Sequence, residues 1–167
     1  MLRLAVLTSA LAGCAYTPGA MRPEPGGQVV TVGCLDVAVA RRLDHEANAV
    51  LYYRLANRCN RPIQVDLAQV AVVGRFGDGS EVALAPYDPD LEIRPVQLDG
   101  RLTGREAIAY PTPRPAAQVC VDAASIVHAE PARWLCFGSR VDVHHGRDVA
   151  EGSAVDDVLA RDLEETP

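Results

Sequence analysis

Lysine is absent from this 167-residue chain, and all 16 of its basic residues are arginine. Without a lysine amine there is no Schiff base, no phosphate-loop lysine and no Ser-Lys dyad, which removes several enzyme classes at once. Serine nucleophiles are scarce as well. Beyond residue 13 the serines are Ser80, Ser125, Ser139 and Ser153, and none sits in a Gly-x-Ser-x-Gly elbow. The 5 cysteines include no C-x-x-C pair, the spacing that zinc sites favour. Aromatic residues make up 5% of the chain, so Tyr52, Tyr53, Tyr87, Tyr110 and Trp134 are expected to be used mostly in a core rather than on a binding face. No apolar run is long enough to span a bilayer of about 30 Å. Basic excess is missing too: the net charge is -6. Residues 34–140 carry 13 acids against 12 arginines, whereas 141–167 carry 8 against 2. That balance excludes nucleic acid as a partner, and the acidic tail is repelled by anionic headgroups. Because arginine is the sole strong cation available, the cluster Arg54, Arg58 and Arg61 is expected to be solvated or paired surface, not an anion site.

What is present begins at the N-terminus. Met1-Leu2-Arg3 is a short charged lead, and the apolar stretch 4–11 is followed by Leu11-Ala12-Gly13-Cys14. This looks like a bacterial lipobox: small residues admit a peptidase before Cys14, whose thiol takes a diacylglyceryl group and whose new amine takes an acyl chain such as palmitate. At about 0.8 kcal/mol per buried methylene, two or three chains hold a protein on a membrane essentially permanently. Ala15 is not an inner-membrane retention aspartate, so the expected location is the outer membrane, facing the periplasm or the cell surface.

Removing Cys14 leaves Cys34, Cys59, Cys120 and Cys136. In an oxidising compartment an even number implies two disulfides, with three connectivities open. If 118–122 and 134–138 form a hairpin with Val119, Val121, Leu135 and Phe137 on one face, Cys120 falls directly opposite Cys136. For the other pair, Leu35, Val37 and Val39 must share a face with Leu51, Tyr53 and Leu55. Cys34 and Cys59 then lie at one end of a hairpin without being direct partners. The expected bonds are Cys34–Cys59 and Cys120–Cys136, each contributing roughly 3 kcal/mol in the chain-entropy model.

Short β-branched runs separated by turn residues predict an all-β protein, an immunoglobulin-like antiparallel sandwich of roughly seven to eight strands. Strands are expected near 29–40, 49–57, 63–74, 80–85, 93–98, 105–110, 117–122 and 133–141. Asp78-Gly79 supplies a tight hairpin turn, a phase shift near Ala68 predicts a bulge or a strand that changes sheets, and Pro95 argues for an edge. The chain divides into a signal peptide (1–13), a lipidated cysteine and flexible tether (14–27), the sandwich (28–143) and an acidic tail (144–167). The tail is disordered or forms a short helix capped by Ser153.

Two metal constellations merit weighing. Asp142, His144 and His145 offer ligands for a transition metal, though a polar exit from the last strand is the plainer reading. Asp88, Asp90 and Glu92 alternate as calcium ligands do, but Pro89 and the lack of further ligands favour an acidic turn.

Tyr52-Tyr53-Arg54-Leu55-Ala56-Asn57 leading to Arg61-Pro62-Ile63-Gln64-Val65-Asp66, then Gly77-Asp78-Gly79-Ser80-Glu81-Val82, Arg105-Glu106-Ala107-Ile108-Ala109-Tyr110 and Val119-Cys120-Val121, is similar to the immunoglobulin-like lipoprotein domains of the DUF4352 type. In these an Asn ends the second strand, a Pro begins the third and a Gly-containing hairpin follows. The resemblance covers 34–122. It departs in the two disulfides, the extra strand through Trp134 and the insert 87–92. It implies an extracytoplasmic accessory or binding role and brings no catalytic residues. The expected function is therefore that of a non-enzymatic, membrane-anchored lipoprotein without a cofactor. It meets an envelope protein partner through loops such as 86–92 and 99–104, and a periplasmic metal- or small-ligand-binding protein is the alternative.

Overall fold

The computed structural model of the chain describes residues 15–42 and 48–139. Ten strands lie among them: β1 (Gln28–Val32), β2 (Leu35–Arg41), β3 (Asn48–Asn57), β4 (Ile63–Val65), β5 (Val72–Arg75), β6 (Glu81–Leu84), β7 (Val96–Leu98), β8 (Thr103–Pro111), β9 (Gln118–Asp122) and β10 (Trp134–Gly138). They form two four-stranded antiparallel sheets, ordered β1-β2-β3-β8 and β10-β9-β5-β6, with β4 and β7 paired separately. One short 3-10 turn, Ser125–Val127, is added between β9 and β10. The all-β sandwich expected from the sequence is present.

Alternation fills its interior. Leu35, Val37 and Val39 of β2 face Leu51, Tyr53 and Leu55 of β3, and the opposite sheet contributes Val72, Val119, Val121, Leu135 and Phe137 to the same cluster. Tyr53 and Tyr110 are fully buried and join hydroxyl to hydroxyl at 2.8 Å, which satisfies both polar tips inside the core. Four aromatics, Tyr53, Phe76, Tyr110 and Phe137, are core residues, but Tyr87 and Trp134 are exposed. The expectation that the aromatics mostly pack inside thus holds for half of them.

Ten strands arise where eight runs were read because two runs divide. The run 29–40 is a hairpin: Val32 pairs with Leu35, and Gly33 at φ +55° takes the first of the two turn positions. Glycine there meets the positive φ that such a two-residue turn demands. The run 63–74 leaves one sheet after Val65 and enters another at Val72. Asp66 turns the chain, its Oδ1 accepting the N–H of Ala68 at 3.0 Å and of Gln69 at 3.2 Å. The phase shift near Ala68 was therefore a change of sheets. The Asp78-Gly79 turn forms with Gly79 at φ +82°.

Both disulfides join the expected pairs, with Cα–Cα distances of 5.3 Å for Cys34–Cys59 and 4.0 Å for Cys120–Cys136. Cys120 and Cys136 are direct cross-strand partners. Leu35 pairs with Asn57, and the N–H of Arg58 donates to the carbonyl of Cys34 at 2.8 Å. Cys34 and Cys59 thus close the end of the β2–β3 hairpin just beyond its last paired residues.

The tether reading needs correction. Every residue of β2 is buried, although a strand covered on one face buries alternate residues. The segment 16–21 supplies the second cover: Met21 and Tyr16 pack on Ala38 and Ala56. Tyr16 also donates its hydroxyl to Asp36 at 2.7 Å and its N–H to the carbonyl of Arg101 at 2.7 Å. Its proline and glycine content marked the segment as irregular, and irregular it is, but it lies on the sheet.

The two ends of each sheet differ. At β1 and β10 the sandwich is stitched shut, since Gln28 Nε2 donates to the Cys136 carbonyl at 2.7 Å. Arg41, 1% exposed, reaches the carbonyls of Ala116 at 3.1 Å and Phe137 at 3.4 Å. At the other side β8 and β6 end their sheets as edges.

Candidate functional site

The edge formed by β8 is where the surface opens. Gly104, Glu106, Ile108 and Tyr110 alternate toward the inner face, opposite Leu55, Tyr53, Leu51 and Ala49 of β3. Ile108 and Tyr110 are covered by the sandwich, whereas Glu106 is exposed and Gly104 has no side chain. A Cβ placed on Gly104 meets nothing within 4 Å. The missing side chain leaves Leu55 reachable from outside.

Across from β8 runs the segment 87–98. Its start is tied to the strand by one bond, from the N–H of Tyr87 to the Ala109 carbonyl at 2.8 Å. Asp88 then folds the loop on itself, accepting the N–H groups of Glu92 at 2.8 Å and Ile93 at 3.0 Å. This consumes the Asp88 carboxylate, so the plain acidic turn is the better account of Asp88, Asp90 and Glu92. Leu91 is held at φ 54°, an uncommon conformation for a residue with a γ-branched side chain. Beyond it β7 pairs, among the described residues, with β4 alone, which suits Pro95 just before it.

Between β8 and this segment lies a groove of about 540 Å³ whose floor is Leu55, Val65 and Leu67. Glu106, Asp90 and Glu92 stand along it with Arg94 and Arg105, so acids outnumber bases. Tyr87 and Val96, two of the exposed large hydrophobic residues of the surface, line its rim, and exposed Leu91 lies between them in sequence. Clustered exposed apolar side chains beside a groove mark an interaction site more than a solvated surface.

The backbone of β8 adds directional groups. Because the Ala109 carbonyl points away from β3 to Tyr87, strand alternation turns the groups of Ala107, Arg105 and Thr103 the same way. The N–H of Ala107 bonds the neighbouring Glu106 carboxylate at 3.2 Å instead of another strand. Among the described residues no strand pairs with this edge, and an edge of this kind accepts a further strand.

The serines in view hold structure. Ser80 donates to Asp78 at 2.7 Å, and Ser125 bridges the Asp122 carbonyl at 2.7 Å and the Ala71 N–H at 2.9 Å. The Arg114 guanidinium bonded to Asp78, aided by the Ser80 hydroxyl and N–H, holds that carboxyl well below the usual carboxylate range. Among the described residues no three metal-ligating side chains converge. Cys14, Asp142, His144, His145 and Ser153 lie outside the described residues.

Of the two loops singled out in the sequence, 86–92 forms the rim of the groove, while 99–104 contributes its last residue, Gly104. Arg101 instead binds back on 59–60, its N–H to the Cys59 carbonyl at 3.1 Å and its Nε to Asn60 Oδ1 at 2.8 Å. Gly104 was named only as the end of a loop, and Glu106 escaped sequence reading. The available signal was a glycine followed by a carboxylate at the inward-facing positions of a strand otherwise carrying Ile108 and Tyr110.

No family model and no curated protein matches the chain. Among solved structures, the yjhA protein from Bacillus subtilis is 9% identical, covers 73% of this chain and 100% of its own, and superposes with a TM-score of 0.47. A DUF1425 family member from Shewanella sp. pv-4 is 12% identical, covering 78% of this chain and 100% of its own, with a TM-score of 0.31. Neither likeness bears on what the groove binds.

Proposed function

We propose that this chain is a non-enzymatic lipoprotein, akin to the DUF4352-type immunoglobulin-like domains, held at the outer membrane through acyl chains on Cys14. Its sandwich binds an extended segment of an envelope protein in the groove along β8. The observation that carries the binding half is the unpaired edge of β8 beside an apolar floor. Strand addition uses both: main-chain bonds to Arg105 and Ala107 supply affinity, and alternate side chains dropping onto Leu55, Val65 and Leu67 supply choice. The acids Asp90, Glu92 and Glu106 favour a segment that carries a basic residue. The anchoring half rests on the lipobox.

Gly104→Val tests the binding half, because the new side chain enters open space and fills the groove. A photo-crosslinker placed at Glu106 of the membrane-anchored protein is expected to trap a single envelope protein through one short segment. The adduct should disappear in Gly104→Val. Adducts that persist in that variant, or that form equally from a crosslinker at Val82 on β6, overturn the groove as the site. Cys14→Ser should release the protein from membranes, and retention of the variant refutes the anchor.

A further inference from the structure

The lipid anchor and the docked segment 15–21 together orient the domain. Tyr16 is fixed to the Arg101 carbonyl and to Asp36, and Cys14 precedes it by two residues. Two extended residues span about 7 Å, so the acyl chains enter the bilayer beside this part of the sandwich instead of at the end of a long leash.

What surrounds that point is basic and partly apolar. Arg54 of β3 and Arg105 of β8 are direct cross-strand partners on the outer face, and both line the same hollow as Tyr16. Like charges directly opposite each other are unfavourable, and among the described residues neither has an acidic partner. Glu24 lines the hollow too, but its carboxylate is bound to Arg42 at 2.7 Å. Next to Tyr16 come Arg101 and Leu102, the latter 51% exposed, and Arg61 is exposed nearby on the 57–61 loop that Arg101 contacts. Asp99 is the exposed acid of this end, and it accepts a bond from Gln97 at 3.1 Å. The described chain stops at Ser139, beside Ala117 and at the Arg41 end of β2, the end opposite Cys34.

Resting on the lipoprotein reading of Cys14, we propose that the face bearing Arg54 and Arg105, with Arg101 beside Tyr16, lies flat on anionic phospholipid, the arginines on headgroup phosphates. The repelling Arg54–Arg105 pair is then relieved by phosphate between the two guanidiniums. Arg58 of the cluster is paired with Asp36 at 3.9 Å, in line with the solvated or paired surface expected, and under the proposal Arg54 alone departs from that expectation. The same orientation leaves the groove, on the inner side of β8, open to the periplasmic side.

The test uses the lipidated full protein reconstituted in vesicles of phosphatidylcholine alone or with phosphatidylglycerol added, read by hydrogen exchange of 101–105. Exchange there should slow severalfold when phosphatidylglycerol is present. The double variant Arg54→Gln, Arg105→Gln should lose that protection and, as an unlipidated chain, should bind phosphatidylglycerol vesicles roughly thirtyfold more weakly at low salt, while unfolding at the same or a higher temperature, since it removes a repulsive pair. Equal exchange in both vesicles, or protection retained by the double variant, overturns the proposal. Mass spectrometry of the peptide containing residue 14 scores the anchor separately. An unlipidated chain is carried through the same comparison by co-sedimentation, where equal partition between the two vesicle types again overturns it.

Discussion

The two sides of the sandwich have opposite construction. At β1 and β10 each free edge is answered: Gln28 crosses to Cys136, and buried Arg41 gathers carbonyls from Ala116 and Phe137. At β8 a single bond from Tyr87 ties the facing segment to the strand, and Gly104 leaves a gap where a side chain would complete the core. Cohesion is concentrated on one side and vacancy on the other. A small domain that must bind through its own strand edge gains from this division, because the edge can remain unpaired without loosening the rest.

Breaking the closed side should be most costly. Arg41→Met is expected to destabilise by about 3 kcal/mol, since buried carbonyls lose their donor and the methionine cannot replace it. Chemical denaturation measures this, and a change below about 1 kcal/mol would show that the two sheets need no such bridge. Replacing Cys120 and Cys136 together by Ser should cost roughly 3 kcal/mol, and Cys120→Ser alone should expose Cys136 to thiol reagents while Cys34 and Cys59 stay protected. Labelling of Cys34 in that variant would contradict the pairing.

A smaller effect tests the cover on β2. Burial alone would raise the Asp36 carboxyl, but hydrogen bonds from Thr31, Tyr16 and the Gly19 N–H, with the Arg58 charge, hold it below its ordinary value. A depressed carboxyl contributes stability that is complete above the unfolded value and is lost as pH falls through the folded one. Acidification below about pH 4 should therefore loosen the 16–21 segment. Tyr16→Phe should cost about 1 kcal/mol at neutral pH and shift this acid loss upward, because one of the bonds holding Asp36 ionised is gone. Hydrogen exchange of 16–21 across the acid range reads both. The smallest change in stability is expected at the open side: Gly104→Val should leave the unfolding midpoint within about 0.5 kcal/mol of the parent while removing partner capture. A large loss there would mean that the groove is a packing seam.

How far the sequence could be read depended on what carried the signal. Period-two alternation in β3, β9 and β10 located both disulfides, because a register that puts Val119 and Leu135 inside leaves Cys120 opposite Cys136. The hairpin at Gly33 was missed, since Val32 and Leu35 continue the apolar run on both sides of a two-residue turn. Tyr16 and Met21 were assigned to a loose tether because the pattern of a segment does not reveal that Asp36 and Ala38 await a cover. The groove was least legible. Its floor, from β3, β4 and Leu67, faces walls built by 87–98 and β8, segments further along the chain whose own patterns do not show that they meet there. Exposed Tyr87, Leu91 and Val96 were the trace it left.

The disulfides also join cysteines that follow one another along the chain, Cys34 with Cys59 and Cys120 with Cys136. In a chain entering an oxidising compartment N-terminus first, the earlier pair can close before the later one arrives, so oxidation in order of arrival yields the native bonds without reshuffling. Cys14 is the thiol that could upset that order, because it precedes Cys34 and would compete for it. Under the proposed reading, acylation does more than tether the protein: it withdraws the odd sulfur from the exchange.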